Sequence, residues 1–521
     1  MELNCLLVTG RSAVLKLFDG GKYHTLKRYR IFLNGEFYTE TDRTITSLYG
    51  LKPGTDYQIS VMEEETQQAS LHIRTLPESA SLNVRRFGAV GDGVHDDTAA
   101  IQAAIHCCPP GGRVRIPAGD YLVTPIFLKS HITIEFQKGA ALRLCTDRSR
   151  FPILPGVTYT QNEDYLLGTW EGNPLDCYAS AITGVDVEDV RIIGPGVVDG
   201  QAPKGDWWVN HKVRRGAWRP RLLFLCRCQN IAIHGLQFLN SPSWNLHPYF
   251  SQDLLFADLK ITAPADSPNT DGFDPESCRH VAMAGVHFSV GDDCIAVKSG
   301  KIYMGRKYHT PCEDIDISHC LMERGHGGLT TGSECAGGII DVRVRYCVML
   351  DTDRGLRVKN RRGRGENAVT DKILFDHVDM KRVGAPFVVN CLYCCDPDGH
   401  SDYVQSRLPL PVDHRTPSTG ELVFRHIDAQ DCGACAGYFL GLPESPIRSL
   451  RMENCRFTFD PDANAFRPAL ADGVDPCKGQ GLIVHYADQI TLKNVSLIGQ
   501  EGEKLVAVQT GNVRWEKEQG E

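Results

Sequence analysis

The chain has 521 residues, with 56 Lys and Arg against 64 Asp and Glu, and a formal charge of −8. That length exceeds one ordinary globular core and suits a repetitive fold with a small extra domain. The acidic balance excludes a protein that works by neutralising nucleic-acid phosphates, and no run of 18 apolar residues exists to span a membrane.

The first ten residues, Met1-Glu-Leu-Asn-Cys-Leu-Leu-Val-Thr-Gly10, have no basic start and no apolar run of signal-peptide length. A cytoplasmic location with reduced thiols is therefore expected. Alternating apolar residues predict strands at Cys5–Val8, Tyr29–Leu33 and Tyr57–Val61. Leu51-Lys-Pro-Gly-Thr-Asp-Tyr57 has the form of a tyrosine corner, in which a Tyr hydroxyl ties its strand to the preceding loop. Residues 1–78 thus resemble a fibronectin type III β-sandwich. A brace against the next domain is the favoured role, ahead of carbohydrate binding. Leu76-Pro-Glu-Ser-Ala80 reads as the linker.

The second domain, residues 79–521, opens with a Gly-rich stretch and Thr98-Ala-Ala-Ile-Gln-Ala-Ala-Ile105. Asp96 and Asp97 are placed to cap a short helix whose apolar face is Ile101 and Ile105, suited to plugging an open-ended solenoid. The glycines lack phosphate-loop spacing.

Similar stretches then recur: Asn230–Phe238, Asp253–Ile261, His280–Phe288, Asp314–Met322 and Asp371–Met380, with weaker copies at His131–Phe136, Asp189–Ile193, Glu421–Phe424 and Gln489–Leu492. Each alternates apolar residues, breaks at a small or polar residue, and resumes. A period of two means strands, and their recurrence without intervening helices predicts a right-handed parallel β-helix. A long insertion interrupts the series from Pro152–Gly156 through Leu167–Asp176. Trp170, Trp207, Trp208 and Trp244 can stack on sugars or pack in the core, and the sequence leaves both open.

Four segments carry the chemistry: Asn269-Thr-Asp271, Gly291-Asp-Asp293, Gly325-His-Gly327 and Arg357-Val-Lys359. Each alone is an ordinary turn sequence. Superposing Asp293-Cys-Ile-Ala-Val-Lys298 on Gly327–Gly332 and Arg354–Lys359 stacks Ile295, Leu329 and Leu356 in one inward row, extended by Phe273. In that register Asp292 lies over His326 and Asp271 beside Asp293, with coils ~4.8 Å apart. Three carboxylates, one imidazole and two fixed cations then share a small area. That set suits acid/base hydrolysis of a glycosidic bond in a sugar that is itself a carboxylate. Among clustered carboxylates, one is expected to hold its proton above its free pKa.

The run Lys359-Asn-Arg-Arg362-Gly-Arg364 is either a solvated turn or a positive rim for an anionic substrate. Of the 20 cysteines, many, such as Cys320, Cys347 and Cys455, sit at inward strand positions and read as small apolar residues. Cys391-x-x-Cys394 and Cys432-x-x-Cys435 are weak zinc motifs.

All four segments together resemble glycoside hydrolase family 28, the polygalacturonases. The resemblance covers the whole second domain. It implies that Asp292 is the general acid, that Asp271 and Asp293 activate water, and that His326 tunes the acid. It also implies substrate binding by Arg357 and Lys359, with Asn269 and Lys298 in the same subsites. No metal and no cofactor is implied. The paired Asp and Arg-x-Lys segments favour homogalacturonan over rhamnogalacturonan, with a rhamnogalacturonan or xylogalacturonan hydrolase kept as an alternative. The insertion and sandwich are similar to those of the bacterial exo-acting branch, which implies an inverting enzyme on pectin or oligogalacturonides. An endo-polygalacturonase, a Ca²⁺-dependent lyase and a non-catalytic carbohydrate-binding β-helix are the rivals.

Overall fold

A computed structural model describes residues 1–159 and 164–516. Residues 160–163, inside the predicted insertion, lie outside the described residues.

The N-terminal part is a small β-sandwich. Glu2–Val8, Ser12–Phe18 and Ile45–Tyr49 form one antiparallel sheet; Glu36–Arg43, His24–Leu33, Asp56–Glu63 and Thr66–Arg74 form the other. Leu15, Ile31, Leu48, Ile59 and Val61 are buried between them. The Lys52 amide donates to the Tyr57 hydroxyl at 2.9 Å, so the tyrosine corner is formed.

The rest is a parallel β-helix with three faces. On the first, Gln229–His234, Gln252–Ala257, Arg279–Ala284, Cys312–Ser318 and Ile339–Arg345 pair in parallel. Gln237–Leu239, Lys260–Thr262, His287–Ser289 and Leu321–Glu323 pair likewise on the second. The third runs through Leu246–Tyr249, Ile295–Val297, Leu329–Gly332, Arg354–Lys359 and Ala385–Asn390. Leu246, Phe273, Ile295, Leu329, Leu356 and Phe387 line up across it and are fully buried, the row anticipated from the sequence.

The polar break in each repeat is the turn between the first two faces. His319, Tyr346, His377 and His426 occupy the left-handed region there, at φ 52–56°, where polar and small residues are least disfavoured. Their rings stack at successive centroid distances of 5.4, 4.8 and 4.2 Å.

Helix Thr98–Cys107 covers the first coil with Ile101, Ala104 and Ile105 buried. Its capping differs from expectation. Asp96 accepts from the Thr98 amide at 3.0 Å, whereas Asp97 turns away to take the Val90 and Gly91 amides at 2.6 and 2.9 Å. Those two amides have no backbone acceptor among the described residues, and they outcompete the helix for the carboxylate.

The sandwich packs against the turn between the first and second faces. Ser12 Oγ lies 2.8 Å from His234 Nε2, and Tyr49 stacks on that imidazole at 5.7 Å. The Ser47 amide donates to Asp258 at 3.1 Å, and Arg43 donates to the Gly285 carbonyl at 2.9 Å. Val14 and Ile45 close the seam on Ala257 and Ala284.

Candidate active site

The site lies on the outward side of the third face. Inward side chains alternate with outward ones, so burying Leu356 and Val358 turns Arg357 and Lys359 toward the exterior. Pairing of Ile295 with both Phe273 and Leu329 sets Asp271 against Asp293 and Asp292 against His326. The His326 amide donates to the Asp292 carbonyl at 3.1 Å, and the Gly272 amide to the Asp293 carbonyl at 3.0 Å. One oxygen from each of Asp271, Asp292 and Asp293 falls within 4.8 Å of the others. The anticipated register therefore holds.

The three carboxylates differ in surroundings. Asp271 and Asp293 are buried, while the Asp292 side chain is 21% exposed and faces the 50%-exposed imidazole of His326. His326 Nδ1 is 3.1 Å from Asp292 Oδ1. Asp293 is gripped by Lys359 Nζ at 2.7 Å and Arg357 NH1 at 3.2 Å. Only glycine fits at 327, because a Cβ there would stand 3.0 Å from Asp293 Oδ1 and 2.5 Å from Thr330 Oγ1. Asp271 Oδ1 has no partner among the described residues.

Asn269 sits at φ 54° and accepts from Arg219 at 2.6 Å. Arg219 also donates to the carbonyls of Pro242 and Pro268. The Gly291 amide donates to the Thr270 hydroxyl at 3.1 Å, joining the first two motifs. Lys298 forms part of the wall, but its ammonium is buried 3.3 Å from Glu334 and 3.5 Å from Asp274 and 4.7 Å above the Trp244 ring.

Burial dominates the electrostatics. It pushes the Asp271 carboxyl well above the ordinary range, and the charges of Asp292 and Asp274 push it further. Asp274 is raised by burial too, against the pull of Lys298. At Asp293 burial acts upward, but Lys359 and Arg357 outweigh it and hold that carboxyl below its usual range. The hydrogen bond to Asp292 raises His326 above the ordinary imidazole value. Glu334, whose burial is outweighed by Lys298 and Lys301, is lowered to about 2. The raised carboxyl was anticipated on the general acid; the one that burial raises is Asp271, which the resemblance casts as a base.

These groups open into a cleft of about 420 Å³, bounded also by Glu171, Lys301, Glu334, Tyr393 and Asp396. Its size is that of a small-molecule pocket. Glu171 comes from the insertion, at the tip of a turn in which the backbones of Trp170 and Asn173 pair. Trp170 is sandwiched between Trp218 and Trp244 at 4.9 and 5.5 Å, nearly parallel to both. Trp170 and Trp207 are thus core residues, Trp208 is half-buried and donates to the Ser241 carbonyl at 3.2 Å, and of the four only Trp244 borders the cleft.

Lys359 of the basic run lines the cleft, but neither reading holds for its three arginines. Arg361, Arg362 and Arg364 are buried, and bond to Asp398, Glu444 and Asp396 at 2.9, 2.6 and 2.8 Å. Their fork-shaped donors tie loops together behind the site. The two Cys-x-x-Cys pairs do not converge on one metal site among the described residues: Cys391 is buried beside Thr419, and Cys394 lies near Asp472. Asp271, Asp292 and Asp293 are close enough to hold a cation, yet Arg357, Lys359 and His326 already bring positive charge there.

Glu171, Glu334, Tyr393 and Asp396 escaped the sequence reading, because they follow strands or sit in loops where no repeat sets a register. The one available signal was Glu334, two residues beyond the Leu329–Gly332 strand.

Residues 112–405 match the sequence profile of glycosyl hydrolases family 28. The chain belongs to that family. Within family 28 it is 34% identical over 325 residues to a probable polygalacturonase of Vitis vinifera, spanning 61% of this chain and 64% of that protein. It is 30% identical over 311 residues to an endo-polygalacturonase of Pectobacterium carotovorum, spanning 57% and 72% of the two chains. The family 28 exopolygalacturonase of Yersinia enterocolitica shares its fold over 99% of both chains, with a TM-score of 0.73 at 19% identity.

Proposed function

We propose that the chain hydrolyses α-1,4-galacturonosidic bonds of pectin-derived chains, removing units from the non-reducing end with inversion. One observation carries this reading. Three carboxylates, an imidazole and two cations meet in a cleft that the Trp170–Asn173 turn borders through Glu171.

Arg357 and Lys359 each keep donors free beyond Asp293 and present them to the sugar carboxylate beside the bond to be cut. Asp292 is the cluster member that reaches the cleft, so it delivers the proton to the leaving oxygen. Titration in such a cluster belongs to the set. A proton resident on Asp271 passes to Asp292, within 4.8 Å, and leaves Asp271 charged. With Asp293 it then takes a proton from the attacking water. His326 holds Asp292 in place through the 3.1 Å contact.

Carboxylates this close suggest retention by spacing alone, since inversion normally needs ~6.5–9.5 Å. Here Asp293 has both oxygens engaged by cations and Asp271 is buried, so neither is free to bond carbon 1, and both can orient water. The Trp170–Asn173 turn supports exo action. The endo-polygalacturonase of Pectobacterium supports the opposite mode. Fifteen buried free thiols favour a reducing, cytoplasmic setting, and the seam favours a bracing role for the sandwich.

Chromatography of early products from hexagalacturonate, with NMR of the first anomer released, tests the proposal. Monomer with the β-configuration is expected. Mixed lengths from the outset would exclude exo action, an α-anomer would exclude inversion, and an unsaturated product would exclude hydrolysis.

A further inference from the structure

A cleft for a polyanion should avoid carboxylates that the chemistry does not need. This one contains Glu171, Glu334 and Asp396 as well as the three at its centre. Two of the extra carboxylates are accounted for. Glu334 is paired with Lys298 at 3.3 Å, and Asp396 with Lys301 and Arg364 at 2.8 Å each. The Glu171 carboxylate makes no hydrogen bond or ion pair among the described residues.

It is nonetheless held in place. Glu171 adopts φ 46° at its turn, a conformation that disfavours a residue with a long side chain and persists only where the surroundings impose it. The carbonyl of the next residue, Gly172, accepts from the Lys301 amide at 2.9 Å. A Cβ at 172 would lie 2.7 Å from Glu334 Cγ, so the turn is pressed onto the cleft wall as closely as backbone allows. On the other side the Trp218–Trp170–Trp244 stack fixes the turn. An unpaired carboxylate is thus presented to the cleft from a turn that its neighbours hold in place.

We propose that Glu171 recognises the chain end, accepting a hydrogen bond from the free 4-hydroxyl of a terminal saturated galacturonate and repelling the carboxylate of any unit beyond it. An internal unit carries a glycosidic oxygen where the terminal unit has that hydroxyl, so it offers no proton to Glu171 and brings a like charge against it. The inference rests on the exo reading above.

The test compares kcat/KM for saturated trigalacturonate and for the trimer whose non-reducing end is 4,5-unsaturated and lacks the 4-hydroxyl. The wild type should favour the saturated trimer by at least about tenfold, as for a lost hydrogen bond to a charged group. Glu171→Ala should bring the ratio to within about twofold, and Glu171→Gln, which keeps an acceptor oxygen, should leave it between the two. An unselective wild type, or an alanine variant as selective as the wild type, overturns the role of Glu171. Random cleavage of hexagalacturonate by the wild type overturns the exo reading instead, so the two failures are told apart.

Discussion

At the scale of single residues, Asp292 and His326 form one unit. Their 3.1 Å contact is the largest influence raising the imidazole, so His326 stays cationic to a higher pH than a free histidine. Asp292→Asn removes the negative partner. It should lower kcat by at least ~100-fold with binding kept, which is the scale of general acid catalysis. In the same variant the His326 titration, followed by NMR of histidine-labelled protein, should move down toward 6.5. The sign follows because the imidazolium loses the charge that favours it. An unmoved midpoint would mean that other groups hold the proton on His326. Asp293 obeys the opposite logic. Its two cations keep it charged in acid, which preserves one water-activating group while Asp271 carries a proton.

At the scale of elements, the inward row of the third face positions the chemistry. Leu356 is fully buried between Leu329 and Phe387, and its neighbours in sequence on the outward side are Arg357 and, two residues on, Lys359. Leu356→Ala should destabilise the protein by about 2–5 kcal/mol and raise KM, measured by denaturant unfolding and steady-state kinetics. A loss below ~1 kcal/mol would show that the row is not the support claimed for it. This row was legible in the sequence because period two fixes facing and equal offsets fix register. Aligning Ile295 with Leu329 forces Asp292 onto His326 without further information. The insertion was legible as a loop beside the groove, but the residue it presents there was not. Glu171 belongs to an insertion outside the repeat, and its place depends on a tryptophan stack whose third member, Trp218, gave no periodic signal. The basic run misled for a related reason: charge density in a sequence does not reveal the acidic partners, such as Glu444, that distant loops supply. The position of the proton on Asp271 required burial, which composition and spacing do not encode.

At the scale of the molecule, the sandwich and the solenoid are joined through a buried imidazole. Burial lowers His234 to about 3, below the ~6.5 of a free histidine. A depressed histidine is protonated more readily in the unfolded chain. Stability is therefore full above pH 6.5 and falls as pH drops toward 3, at about 1.4 kcal/mol per unit. His247 has the same sign. Acid should therefore lower the melting temperature, and His234→Gln should flatten the slope between pH 6 and 4 even if it lowers the plateau. Parallel slopes for variant and wild type would remove His234 from the linkage.

The partners in that seam are far apart along the chain: 222 residues separate Ser12 from His234, and 297 separate Lys22 from His319, whose ring nitrogen contacts the Lys22 carbonyl. Translation at ~5–20 residues per second would leave the sandwich without its docking surface for about 10–45 s. We expect it to fold early, tethered and solitary, and to latch last. Once latched, Tyr49 and Ile45 press on Gly235 and Gly285, so a coil sliding by one residue would drive a side chain into them. Ribosome-bound chains halted near residue 200 should then have a protease-sensitive linker that becomes resistant once residue 319 has emerged.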